Sequence, residues 1–134
     1  MSDERATAPR VVHDLRPLLT DDATVPAGVV WRLTEPGRQL DANVLHLGAG
    51  QVVETHTESD LDVLLVVVSG SGTLEGADGP LALAAGTMLW LPRGSTRRLR
   101  AGGEGLGYLT VHRRRPGMQI KPAPRGDDGV RDVC

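Results

Sequence analysis

Seventeen glycines and nine prolines cut this 134-residue chain into apolar runs too short to build a helical core. The runs fall at residues 29–33, 39–47, 51–55, 63–68, 72–75, 81–84, 87–91, 97–100 and 107–112. No stretch keeps a helical period over three turns, and the nearest candidate, residues 11–19, is interrupted by Pro17. Short β-prone runs separated by turn residues predict an all-β sandwich or barrel. Residues 70–72 and 101–103 read as turns, and neither precedes a helix that would make it a phosphate cradle.

Alternation within the runs assigns faces. In 39–47 the even positions Leu40, Ala42, Val44 and His46 form the more apolar face, opposite Asp41 and Asn43. Residues 63–68 are apolar on both faces, which places them between two layers or beneath another subunit. Arg97 and Leu99 share one face of their run, while Arg98 and Arg100 share the other. Tyr108, Thr110 and His112 lie opposite Leu109 and Val111, as a polar pocket wall or, the simpler reading, as a solvent-facing strand edge.

Composition excludes several functions. A net charge of −2 gives no electrostatic footprint for nucleic acid, and Arg113, Arg114 and Arg115 read as a solvated run. Two Trp, one Tyr and no Phe are too few aromatics for a base-stacking groove. No apolar run is long enough to cross a membrane, and the first residues lack the apolar stretch of a secretory signal. The lone Cys134 cannot form an internal disulfide, so a reduced, cytoplasmic setting is expected.

Two glycine-anchored segments carry the candidate chemistry. The first runs from Gly50 through His56, Glu58, Asp60 and Asp62 to Gly70; the second runs from Gly86 through Pro92 and Gly94 to Arg97. These spacings resemble the two motifs of the cupin superfamily, G-x5-H-x-H-x4-E-x6-G and G-x5-P-x-G-x2-H-x3-N. Gly50, His56, Gly70, Gly86, Pro92 and Gly94 all fall in place. The resemblance covers about residues 40–112 and implies a small single cupin domain, a double-stranded β-helix or jelly-roll-like antiparallel barrel. It would occupy residues 10–120, between a flexible segment 1–9 and a flexible tail 121–134, and would be homodimeric with a ligand pocket inside.

In that family two histidines, a glutamate and a later histidine hold a divalent metal. Here Glu58 stands at the second histidine position, Val63 at the glutamate and Arg97 at the last histidine. The ligand set is therefore degenerate, and a permanent cation occupies its centre. The expectation is a Glu58–Arg97 ion pair filling the space of the metal, and a pocket that binds a small, organic, anionic ligand. His56, Glu58 and Arg97 are its catalytic or binding residues, and His46, Trp90, Tyr108 and His112 its further lining. No cofactor is favoured, and the chemistry would be sensing or a metal-independent isomerase or cyclase reaction. A second reading places Fe, Mn, Ni or Zn on His56 and Glu58, with His46, His112 or Asp62 as substitute ligand, in an oxygenase-like enzyme. A third is a barrel used only for interaction. For single residues the plain readings are a satisfied core histidine at His46, buried indoles at Trp31 and Trp90, and no role for His13.

Overall fold

The computed structural model describes residues 7–19 and 25–115. The outermost residues 1–6 and 116–134, which include the tail expected to be flexible, lie outside the described residues. Among those described, a short helix α1 (Arg16–Leu19) precedes β1 (Gly28–Arg32), β2 (Leu40–Leu47), β3 (Val52–Thr57), β4 (Val63–Gly76), β5 (Gly79–Ala84), β6 (Met88–Leu91) and β7 (Thr96–Arg113). The strands pair antiparallel in the order β1-β2-β7-β4-β5, with β3 also on β7 and β6 also on β4. The helix was not expected from the sequence. Pro17 is accommodated because it occupies the first turn, where its missing N–H costs no helical hydrogen bond. Asp14 accepts the Arg16 N–H at 3.0 Å and closes that turn.

β4 and β7 organise the molecule because each serves two groups of partners. The C-terminal half of β7, from Leu106 to Arg113, lies between β2 and the first half of β4. Its N-terminal half, from Thr96 to Ala101, lies between β3 and the second half of β4. Two expected turns are in fact bends within these long strands, where the β4–β7 register shifts between Val67 and Ser69 and between Gly70 and Gly72. Bulges bend a strand without ending it. Gly70 shows why glycine is needed there: φ is +77°, and a Cβ would collide with the Gly105 backbone, whose carbonyl carbon lies 2.8 Å away.

The bends bring the two halves onto one core. Leu45, Leu47, Leu65, Val67, Leu106 and Tyr108 from the first half cluster with Val53, Leu74, Leu83, Leu99 and Ala101 from the second. β6 adds Leu89 and Leu91, which forces its alternate residues Met88 and Trp90 outward at 61% and 62% exposure. Trp90 is therefore neither core nor pocket wall.

The expected inward face of β2 is also reversed. Leu45 pairs with Tyr108 and Leu47 with Leu106, so the odd positions join the core. Residues paired across antiparallel strands share a face, and the even set runs alongside Leu109 and Val111 on the outside. His46 belongs to that outer set, pairing with Gly107, and leaves the list of pocket residues. The N-terminal segment covers part of this outer face. Leu18 is buried over Gly107, and the His13 ring stacks on Trp31 with centroids 4.9 Å apart.

Candidate functional site

The barrel interior changes from apolar to polar along its length. On β7 the inward residues run Leu106, Tyr108, Thr110, His112, and on β2 they run Leu47, Leu45, Asn43. The N-terminal half of β7 repeats the trend, with Ala101 and Leu99 followed by Arg97. Tyr108, Thr110, His112, Asn43 and Arg97 are all buried. Tyr108 and His112 are buried, which overturns the solvent-edge reading of that face. Burying polar side chains without partners is costly, so one end of the barrel is a polar cup in an otherwise apolar core.

The two glycine-anchored segments meet at that end. His56 sits opposite Arg97 in the β3–β7 ladder, and the Thr57 and Thr96 hydroxyls are 2.7 Å apart. The Gly94 N–H donates to the Glu58 carbonyl at 2.7 Å, and the Arg93 N–H donates to Asp62 Oδ1 at 2.9 Å. A turn closed by Ser95 N–H to Pro92 O, 3.0 Å, delivers Ser95 beside Arg97.

Arg97 is 1% exposed on the same inward face as Leu99. Its guanidinium donates to Ser95 Oγ at 2.9 Å and to the Ser95 carbonyl at 3.3 Å. His56 Nδ1 lies 3.0 Å from the Glu54 carbonyl, an atom that can only accept. Nδ1 is therefore the donor of that hydrogen bond, and the ring's other nitrogen is Nε2. That atom is buried with no hydrogen-bond partner in the protein. His112 repeats the arrangement from the opposite half of the barrel, its Nδ1 2.8 Å from the Arg113 carbonyl. Thr110 Oγ1 is likewise buried without a partner.

Glu58 behaves differently from expectation. Its Oε1 is bound by the Arg115 guanidinium at 2.6 Å, and its Oε2 accepts the Asp60 N–H at 2.9 Å. The Glu58 carboxylate pairs with Arg115, in place of the expected Arg97, and the Arg97 charge also acts on it. Arg115 is exposed, as the reading of a solvated run has it, and in addition pairs with Glu58. Burial raises the Glu58 pKa, but the Arg115 and Asp60 hydrogen bonds and the charges of Arg115 and Arg97 outweigh it and leave it below the ordinary 4.5. A carboxyl with a depressed folded-state pKa stabilises the fold above its unfolded value and loses that contribution as pH falls through the folded value. The melting-temperature gap between wild type and Glu58→Gln is therefore expected to be full at neutral pH and to close below about pH 4.5. A gap that stays constant down to about pH 3 would contradict this role.

The donors do not fit a divalent metal. Among the described residues no three His, Cys, Asp or Glu side chains converge as one would require. His56 offers one nitrogen, both Glu58 oxygens are engaged, Asp62 is turned to Arg93, and His46 lies on the outer face. Asn43, Ser95, Thr110 and Arg115 are the members that sequence reasoning did not place at the site. The signal for Thr110 was present in its shared face with Tyr108 and His112; Ser95 and Arg115 are positioned by tertiary contacts that carry no local pattern.

No protein-family model matches the chain, and no curated protein matches it. Solved structures do. A cupin protein from Bacteroides fragilis aligns with a TM-score of 0.57 and 18% identity, over 68% of this chain and 82% of that one. A sugar phosphate isomerase from a cupin superfamily, from Silicibacter pomeroyi, gives 0.54 and 19% over 59% of this chain and 53% of its own. Oxalate decarboxylase from Bacillus subtilis, a protein with Mn(II) centres, gives 0.52 and 20% over 57% of this chain and 22% of its own. Together with the antiparallel barrel and the spaced glycines, these likenesses identify the fold as that of a small, single-domain, all-β cupin. At this level of identity they establish fold and leave activity open. Among the described residues no helix is long and apolar enough to cross a membrane.

Proposed function

We propose that the polar end of the barrel binds a small organic anion, a carboxylate or phosphate ester, without a structural divalent metal. One observation carries the reading: the buried Arg97 guanidinium lies beside His56, whose Nε2 is buried with no protein partner. Arginine keeps its charge under all physiological conditions, and its planar fork matches a carboxylate or phosphate with two parallel hydrogen bonds. An anion seated there would place its neighbouring atoms against His56 Nε2, with Thr110 Oγ1 available as a further hydrogen-bond partner. Bound in that position, a substrate with an acidic C–H or O–H could give its proton to His56 while Arg97 stabilises the anion formed, which is the chemistry of an isomerase or cyclase. Without such a proton the same site is a sensor. Glu58 orders this end of the barrel through Arg115 and Asp60 and has no direct part in the chemistry.

Thermal shift against C2–C6 carboxylates, sugar phosphates and inorganic phosphate tests the reading. At least one carboxylate or phosphate ester is expected to raise the melting point saturably, by the equivalent of about 2.7 kcal/mol at a hundred times its Kd. His56→Gln separates the two activities: sensing survives with affinity changed by no more than about tenfold, whereas turnover falls by about 100-fold or more. Elemental mass spectrometry after challenge with Fe(II), Mn(II), Ni(II) and Zn(II) is expected to find well under one metal per chain. Close to one metal per chain, lost in His56→Ala, would overturn the metal-free site.

A further inference from the structure

His112 is a buried titratable group to which the anion site gives no task. It is 7% exposed on the inward face of β7, two residues beyond Thr110. Its neighbours across the ladders are Val63 on β4, a member of the apolar core, and Asp41 on β2, whose carboxylate accepts from Arg38 at 2.9 Å. The Arg113 carbonyl, 2.8 Å from Nδ1, can only accept, so Nδ1 donates there and Nε2 is the nitrogen left to meet a ligand. Two sets of contacts bring His112 and His56 to the same end of the barrel. Arg115, three residues past His112, binds Glu58, two residues past His56, at 2.6 Å. Asp62, next to Val63, accepts the Arg93 N–H at 2.9 Å, four residues before the Arg97 that pairs with His56. The two imidazoles thus reach one polar cup from different strands. Each is fixed by the same device, Nδ1 on a main-chain carbonyl. Packing alone does not call for it, since Leu or Met would fill such space without carrying a ring nitrogen in from water.

We infer that His112 is a second acid–base group of this site, donating from Nε2 to a carbonyl oxygen while His56 takes a proton from the neighbouring carbon. The inference rests on the anion site proposed above and narrows its substrate to a carboxylate or phosphate ester that carries a hydroxyl group next to a carbonyl. Arg97 holds the anionic group. His56 Nε2 takes the hydrogen of the hydroxyl-bearing carbon as a proton, and the C–H electron pair becomes the C=C bond of an enediol. The C=O pair moves onto oxygen, which takes the Nε2 proton of the His112 imidazolium. In the return step His56 gives its proton to the former carbonyl carbon, the other hydroxyl gives its proton to His112, and that oxygen becomes the new carbonyl. Carbonyl and hydroxyl have exchanged places, both histidines are restored, and no oxidant or co-reactant enters. A base alone would leave negative charge to build up on the oxygen in a largely apolar barrel, whereas a positioned acid neutralises it as it forms. The Thr110 hydroxyl, buried without a partner on the same strand face, is a hydrogen-bond partner for the enediol oxygens.

Exchange of carbon-bound hydrogen in deuterium oxide, followed by proton NMR on the full chain, reads the step. The probes are dihydroxyacetone phosphate, hydroxypyruvate and the aldose and ketose hexose phosphates. Wild type is expected to exchange the hydrogen beside the carbonyl of at least one probe and to form its isomer. His112→Gln is expected to slow both by about 100-fold or more, while the melting-point rise with the same probe persists. His112→Asn, whose shorter amide can take over the donation to the Arg113 carbonyl, is the second variant and is expected to lose exchange equally. Circular dichroism without probe reports that each variant is folded. Exchange absent from wild type with every probe, or undiminished in a folded variant, would overturn the assignment of His112. The anion site itself stands or falls separately, on whether wild type shows the melting-point rise.

Discussion

Gly70→Ala is expected to destabilise this protein as strongly as a severe core truncation. The residue sits where β4 bends from one half of the barrel to the other, with φ at +77°, a region that residues bearing a Cβ rarely occupy. The added methyl would also strike the Gly105 carbonyl and come within 3.1 Å of Leu106 Cα. Both obstacles are backbone, and Gly105 is itself held at φ +80°, so no side-chain rotation relieves the clash. The β4–β7 ladder would have to separate at the point where the halves join. We expect a loss on the order of 3–5 kcal/mol, a fall in melting temperature of about 10–25 °C for a domain of this size. Gly50→Ala is the control: φ is +73°, but nothing lies within 4 Å of the added Cβ. Strain alone should cost about 1–2 kcal/mol there. Equal losses at the two positions would show that conformation, and not the close approach of the strands, makes glycine necessary at Gly70.

Arg97→Met is expected to abolish anion binding while leaving a folded barrel. Methionine keeps much of the arginine stem and fills an irregular space well, but it offers no donor. The anion-dependent rise in melting point should vanish, corresponding to an affinity loss of about 100-fold or more, because a desolvated anion would be left without its charged partner. Ser95 would lose a donor to its hydroxyl and carbonyl, but that serine is only partly buried, and water can replace a neutral hydrogen bond at modest cost. Arg97→Lys keeps the charge without the fork and should recover only part of the binding. A Met variant that binds like wild type would remove Arg97 as the anchor and leave the polar cup without a charge to explain it.

The period-two pattern along the strands was legible without a structure. The glycine positions were legible too, though 70–72 and 101–103 read as turns and not bends, and the meeting of the His56 and Arg97 segments was implied by the cupin resemblance. Less legible was which face of a strand turns inward. In β2 and in the C-terminal half of β7, the apolar alternates Val44, Leu109 and Val111 lie outside the main core, while Asn43, Thr110 and His112 lie within the barrel. An apolar-inward rule fails on both strands for two linked reasons: the interior holds a polar cup, and the exterior carries an apolar sheet face. Glu58 shows the same limit for charges. Its sequence neighbours and motif position point to Arg97, yet the guanidinium that reaches it, Arg115, lies 57 residues away.

By itself, then, the sequence determined the β-rich character of the chain and its punctuation, because backbone sterics and a two-residue repeat act locally, while the meeting of the two segments was implied by the cupin resemblance. Only the tertiary structure decided which alternate residues face the cup, that Trp90 and His46 lie outside it, and that Glu58 pairs with Arg115. Those outcomes depend on what covers each face and on which distant side chain arrives within hydrogen-bonding reach, and neither is encoded in local spacing.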